Sequence, residues 1–151
     1  MTIYLDVSCL NRPFDDQRQA RIRLESEAVT EILAQADLGR IQLVSSEMAE
    51  IEINAMSDRD RKRRVQSLLP GQADRMKLTE REFSRAVELR RLGFMPADAL
   101  HVAAAESLKV SAILSCDDRL CRTARRHPKR LQVEVANPVD WLKEQSDAPD
   151  A

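Results

Sequence analysis

Four short apolar runs, "TIYLDV" at residues 2–7, "IQLVS" at 41–45, "SAILS" at 111–115 and "LQVEVA" at 131–136, are separated by stretches whose apolar residues recur at helical spacing. Strands that alternate with helices are joined by crossovers rather than tight hairpins, so they form a mostly parallel sheet covered on both faces. The expectation is an α/β fold: a three-layer α/β/α sandwich around a central, mostly parallel sheet of four to five strands. At 151 residues the chain is about one domain long, enough to build a core without staples. We assign residues 1–144 to that domain and the polar residues 145–151 to a flexible tail.

Between the strands, "NRPFDD" reads as a loop because Pro13 and the Asp15-Asp16 pair disfavour continuation. Ile22, Val29, Ile32, Leu33 and Ala36 give a helix over 19–37, with Gly39 as its stop. Ser45 and Ser46 cap a helix from Glu47 that is expected to run to Met56 or on to Leu69, before Pro70-Gly71. Further helices are expected over 74–92, over 97–109 with Pro96 in the first turn, over "DRLCRTARR" and over "VDWLKEQ".

Composition narrows the function. The net charge of −1 excludes a generally basic nucleic-acid-coating protein, although Arg59–Arg64 and Arg119–Arg130 are locally basic. Such stretches are most often solvated helix faces. Cys9, Cys116 and Cys121 are odd in number and contain no C-x-x-C pair, which points to a reducing cytoplasm rather than a disulfide framework. A zinc site built from Cys116, Cys121 and His127 fits no common spacing. No apolar run reaches membrane-spanning length and no leader is evident, so no membrane association is expected.

In open parallel sheets, ligands bind outside the carboxyl ends of the strands. Asp6 ends the first strand and Asp117 follows the third, at the same edge. Taken alone, Asp117 or Asp118 would simply cap the next helix. In the second segment Met48, Ile51 and Ala55 form an i, i+3, i+7 stripe that includes Glu52, while Glu47, Glu50 and Asn54 form the opposite face. An inward glutamate needs a cation or proton partner. Glu50 stays open as an alternative to Glu52. Asp98 lies in the first turn of the alanine-rich "ADALHVAAAESL", where the helix dipole alone would favour it. His101, on the same face, reads as a supporting core histidine.

Two carboxylates about 4 Å apart repel by roughly 4 kcal/mol at an effective dielectric of 20, so several can converge only with protons or a cation among them. An all-carboxylate cluster suits a hard ion, Mg²⁺ or Mn²⁺, which keeps waters and binds phosphate oxygens. That chemistry is metal-assisted phosphodiester hydrolysis.

Over roughly Thr2 to Leu142 the chain resembles the PIN-domain ribonucleases, whose bacterial and archaeal members are often VapC-type toxins of toxin–antitoxin pairs. The resemblance rests on "YLDVSCLNRPFDD", "SSEMAEIE", "ADALHVAAAE" and "ILSCDDRL", in that order. It implies a metal site made by Asp6, Glu52, Asp98 and Asp117, with Ser8 orienting the first carboxylate. It also implies an RNA substrate, a protein antitoxin and a homodimer. Arg12, in the loop, would line the cleft and meet phosphate. The helix of Ile22, Val29 and Ile32 offers an apolar contact for antitoxin or second copy, unless it packs on the sheet.

Other readings fare less well. A haloacid-dehalogenase-type phosphatase needs a second Asp two positions after the first, where this chain has Ser8. A dinucleotide-binding domain needs a Gly-rich turn, yet Gly39, Gly71 and Gly93 all lie far from Asp6. The rival of a different class is a PIN-like module that binds RNA or protein without cutting.

Overall fold

The computed structural model describes residues 1–147. Five strands, β1 (Thr2–Leu5), β2 (Gln42–Ser46), β3 (Arg75–Met76), β4 (Ala112–Leu114) and β5 (Glu134–Ala136), form one sheet in the order β3-β2-β1-β4-β5. Every neighbouring pair is parallel. β1 is central because it is apolar on both faces: Ile3 and Tyr4 are fully buried. Its register with β4, Leu5 opposite Leu114, brings Asp6 and Ser115 to one edge. The ladder continues there, Asp6 N–H donating to Leu114 O at 3.1 Å and Ser115 N–H to Ala136 O at 2.9 Å.

Among the described residues eight α-helices cover the sheet: α1 (Val7–Asn11), α2 (Ala20–Asp37), α3 (Glu47–Asn54), α4 (Arg59–Leu68), α5 (Glu80–Arg91), α6 (Pro96–Leu108), α7 (Asp118–Arg126) and α8 (Pro138–Asp147). On one face Ile3, Leu5, Ala112 and Leu114 pack with Val29 and Ile32 of α2, Ile53 of α3, Val65 of α4 and Trp141 of α8. On the other, Tyr4, Val44 and Ile113 pack with Leu89 of α5, Val102 and the alanines of α6, and Leu120 of α7. The three-layer α/β/α arrangement is as expected, with five strands. None of the described helices is long and apolar enough to cross a membrane.

Local differences from the sequence reading have physical causes. "SCLN" coils into α1 because Asp6 caps it, and the loop after it tightens into a 3₁₀ turn over Arg12–Phe14. The helix begun at Glu47 does not run on to Leu69: it stops at Asn54, and Asp58 caps α4 by accepting from Arg61 N–H at 3.1 Å. The helix expected from residue 74 starts at Glu80, where Thr79 and Glu82 form a capping box. The residues before it give β3, two residues long and paired with β2. Val29 and Ile32 are fully buried against the sheet, so α2 does not present them as a free contact surface. At the carboxyl terminus α8 continues through Asp147, and the remainder of the expected tail lies outside the described residues.

A candidate metal and active site at the carboxyl edge

Asp6 and Asp117 sit at the ends of adjacent strands, and two serines tie their turns together. Ser8 Oγ donates to Asp6 Oδ1 at 2.5 Å and accepts from Cys116 N–H at 2.9 Å. Ser115 Oγ lies 3.3 Å from Ser8 Oγ and accepts from Asp117 N–H at 3.0 Å. Asp6 is 4% exposed and also accepts from Cys9 N–H at 3.1 Å. Burial raises its affinity for a proton, and the hydroxyls of Ser115 and Ser8 oppose that rise. Asp117 does cap α7, accepting from Arg119 N–H at 2.9 Å through Oδ1. Both capping bonds, from the amides of Arg119 and Leu120, go to Oδ1.

Glu52 is brought in by a buried relay. His101 Nε2 meets Glu52 Oε1, and His101 Nδ1 is 2.6 Å from the Tyr4 hydroxyl. That hydroxyl is in turn 2.7 Å from Ser46 Oγ, which caps α3 by accepting from Met48 N–H. Burial holds the Tyr4 phenol above its ordinary range, so it stays an O–H. It can donate to Nδ1 while accepting from Ser46, or accept from Nδ1 while donating to Ser46. In the first arrangement the neutral imidazole carries its proton on Nε2, where it can donate to the Glu52 carboxylate. The inward partner expected for Glu52 is therefore His101, 2% exposed against 32% for the Glu52 side chain.

The stripe that singled out Glu52 is displaced in phase. Ala49 and Ile53 are the buried residues of α3, whereas Ile51 is 52% exposed. Glu52 lies three residues after Ala49 and one before Ile53, at the margin of the buried face. The other two glutamates are engaged elsewhere: Glu50 pairs with Arg75 at 3.3 Å, and Glu47 accepts from Leu78 N–H at 3.1 Å. Both belong to contacts with the β3 side of the fold.

Asp98, in the first turn of α6, feels all the others. Its pKa is pushed up from 3.8 to about 6, chiefly by burial and then by the charges of Asp117 and Asp6; Glu52 adds to the rise and His101 opposes it. The four acids expected from the sequence thus share one electrostatic neighbourhood. Among the described residues no three Asp, Glu, His or Cys side chains stand as a ready-made ligand set. Mg²⁺ commonly takes only one or two carboxylates directly while keeping several waters, so it does not require such a set. An all-oxygen donor set in which Asp98 carries an unfavourable charge fits a hard divalent cation on both counts.

Other candidates take structural places. Arg12 donates to Asp15 and to Glu25, both at 2.9 Å, so it braces the loop rather than meeting phosphate. Asp118 is exposed and ion-paired with Arg21. Glu25, 1% exposed, accepts from Arg12, Arg21 and, at 2.6 Å, Asn137, joining the loop, α2 and the turn before α8. The sequence reading missed Ser115, although a serine two positions before an Asp at a helix start is a recognisable turn signal. It also missed Tyr4 and Ser46 as supports, and no local pattern marks those.

In comparison with known protein families, residues 3–126 match the PIN domain. The match runs from β1 to the end of α7 and includes all four acids. No curated protein matches the chain.

Proposed function

The chain belongs to the PIN domain family, and we propose that it is a metal-dependent endoribonuclease that hydrolyses RNA phosphodiester bonds at the carboxylate cluster. PIN domains are generally nucleases that use divalent metal ions. The observation that carries the reading is the convergence of Asp6 and Asp117 at the ends of adjacent strands, tied by Ser8 and Ser115, where burial and their charges raise the proton affinity of Asp98. Acids crowded at a sheet edge, without a cation, oppose the folded state, and a function that needs a cation there accounts for their placement.

Asp6, Glu52, Asp98 and Asp117 would hold Mg²⁺ or Mn²⁺. A bound divalent ion supplies activation of water and neutralisation of charge on the phosphate. The remaining work falls to the chain's own groups. Ser8 and Ser115 fix the Asp6 carboxylate against the β4–α7 turn. His101 fixes Glu52, and Tyr4 fixes the ring of His101. The amides of Arg119 and Leu120 fix Asp117. Preorganised oxygens of this kind need little rearrangement when cation and phosphate arrive.

The cellular role within this reading is that of the toxin of a toxin–antitoxin pair. A protein antitoxin would complement the acidic edge with an Arg or Lys placed among the carboxylates, and the toxin would act as a homodimer in the cytoplasm. Two experiments test the proposal. Purified protein incubated with single-stranded RNA is expected to cut it with Mg²⁺ and not with EDTA; intact RNA in both conditions contradicts the nuclease reading. Expression in a bacterial host is expected to arrest growth, with relief by the neighbouring gene product; unaffected growth contradicts the toxin role alone.

A further inference from the structure

The basic stretch at residues 119–130 is not absorbed by the cluster, and its first half has a definite place. α7 begins directly after Asp117, so its outer face leads away from the acid site. Leu120, Cys121, Thr123 and Ala124 are buried, which turns Arg119, Arg122, Arg125 and Arg126 outward. None of these four is in an ion pair among the described residues, whereas Arg12, Arg21, Arg61, Arg75 and Arg85 all are. The one acid on the helix, Asp118, is held by Arg21. A protein of net charge −1 therefore carries a local excess of free guanidinium groups beside its acid site.

We propose that Arg119, Arg122 and Arg126 of α7 form a track for the phosphates of a single RNA strand running from the acid site. This rests on the nuclease reading, since it names how the same site receives its substrate. The three residues share one side of the helix at i, i+3 and i+7, a stripe about 10 Å long at 1.5 Å per residue. Arginine suits the task because its planar fork meets phosphate oxygens in pairs. The neighbouring cleft of about 500 Å³ is a poorer place for phosphates: Arg21 and Arg125 line it, but so do Glu25, Asp118 and Asp140.

The test is binding of a fluorescein-labelled single-stranded RNA to metal-free protein, followed by anisotropy across a KCl series. For single strands, log K falls with log salt by about 0.7 for each phosphate neutralised. Replacing Arg119, Arg122 and Arg126 together by Ala, a good helix former, is expected to reduce that slope by about 2 and to weaken binding at low salt at least tenfold. Replacing the same three by Lys is expected to restore most of the slope. Arg40→Ala with Arg81→Ala, exposed residues outside α7, is expected to change neither. Mg²⁺-dependent cleavage is measured in parallel to keep the two readings apart. A reduced slope supports the track whether or not the wild type cuts. An unchanged slope and affinity in the triple Ala variant overturns the track even if cutting is intact, as does retention by the wild type of an acidic protein but no RNA.

Discussion

His101 meets Glu52 from the neighbouring helix through Nε2, while its Nδ1 lies 2.6 Å from the Tyr4 hydroxyl on the central strand. One imidazole therefore joins β1, α3 and α6, and it sets which oxygen of Glu52 is free. Removing a group that orients a metal-binding carboxylate typically costs 10–100-fold in metal affinity or activity. His101→Asn is expected to weaken Mn²⁺ binding, measured by calorimetry, by about tenfold or more. Tyr4→Phe keeps the ring volume but strands Nδ1; it is expected to lower stability by about 1–3 kcal/mol and to weaken Mn²⁺ binding less than His101→Asn. Unchanged Mn²⁺ affinity in His101→Asn contradicts the relay.

The glutamates of α3 separate by their partners. Glu52→Gln is expected to lose most cleavage activity. Glu50→Gln, which loosens the Arg75 pair, and Glu47→Gln, which weakens a bond to Leu78 N–H, are expected to retain most of it. Initial cleavage rates of the three variants at equal folded concentration decide the matter. An inactive Glu50→Gln beside an active Glu52→Gln reverses the assignment.

Asp98 gives the acid site a pH signature. A carboxyl whose pKa rises on folding from 3.8 to about 6 costs the folded state nothing where both forms are protonated. The cost grows between the two values and is complete above the higher one. Asp98→Asn is therefore expected to raise the melting temperature of the metal-free protein more at about pH 7.5 than at about pH 4. Added Mg²⁺ is expected to stabilise the wild type more than the variant. Equal shifts at both pH values mean that Asp98 is not under charge stress.

Much of this was legible in the chain and some was not. Asp6, Asp98 and Asp117 could be placed because each follows a strand or opens a helix, and strand ends in a parallel sheet share an edge. Glu52 was reached through a stripe of the wrong phase, because Ile51 is apolar yet exposed while the small Ala49 is buried. Short apolar helices give periodicity too little length to fix their phase. β3 was unreadable because two residues carry no pattern and its existence depends on β2. The Tyr4–His101–Glu52 relay joins residues 97 and 49 positions apart, and no local spacing encodes it.

Glu25 tests the scaffold beside the site. Its side chain is 2% exposed and is shared by Arg12, Arg21 and Asn137. Breaking a buried charge network by removing one member costs about 3–5 kcal/mol; the exposure of Arg21 places the expected loss for Glu25→Ala near 3 kcal/mol. Urea denaturation of the wild type and the variant measures it, and a loss below about 1 kcal/mol contradicts the bracing role.

The central claim, that the four acids are a metal-dependent phosphodiesterase site, is tested most directly by the ends of the cut RNA. Attack by water leaves no cyclic phosphate, whereas attack by the neighbouring 2′-hydroxyl, the route of metal-independent ribonucleases that contaminate preparations, forms a 2′,3′-cyclic phosphate. Single-stranded RNA labelled at one end is digested with Mg²⁺ and with EDTA by the wild type, Asp6→Asn and Asp98→Asn, each shown to be folded, and the products are analysed by mass. The account predicts Mg²⁺-dependent cleavage without cyclic phosphate by the wild type and at least a hundredfold loss in both variants. Cleavage that persists in EDTA, yields cyclic phosphate or survives in folded Asp6→Asn would contradict it.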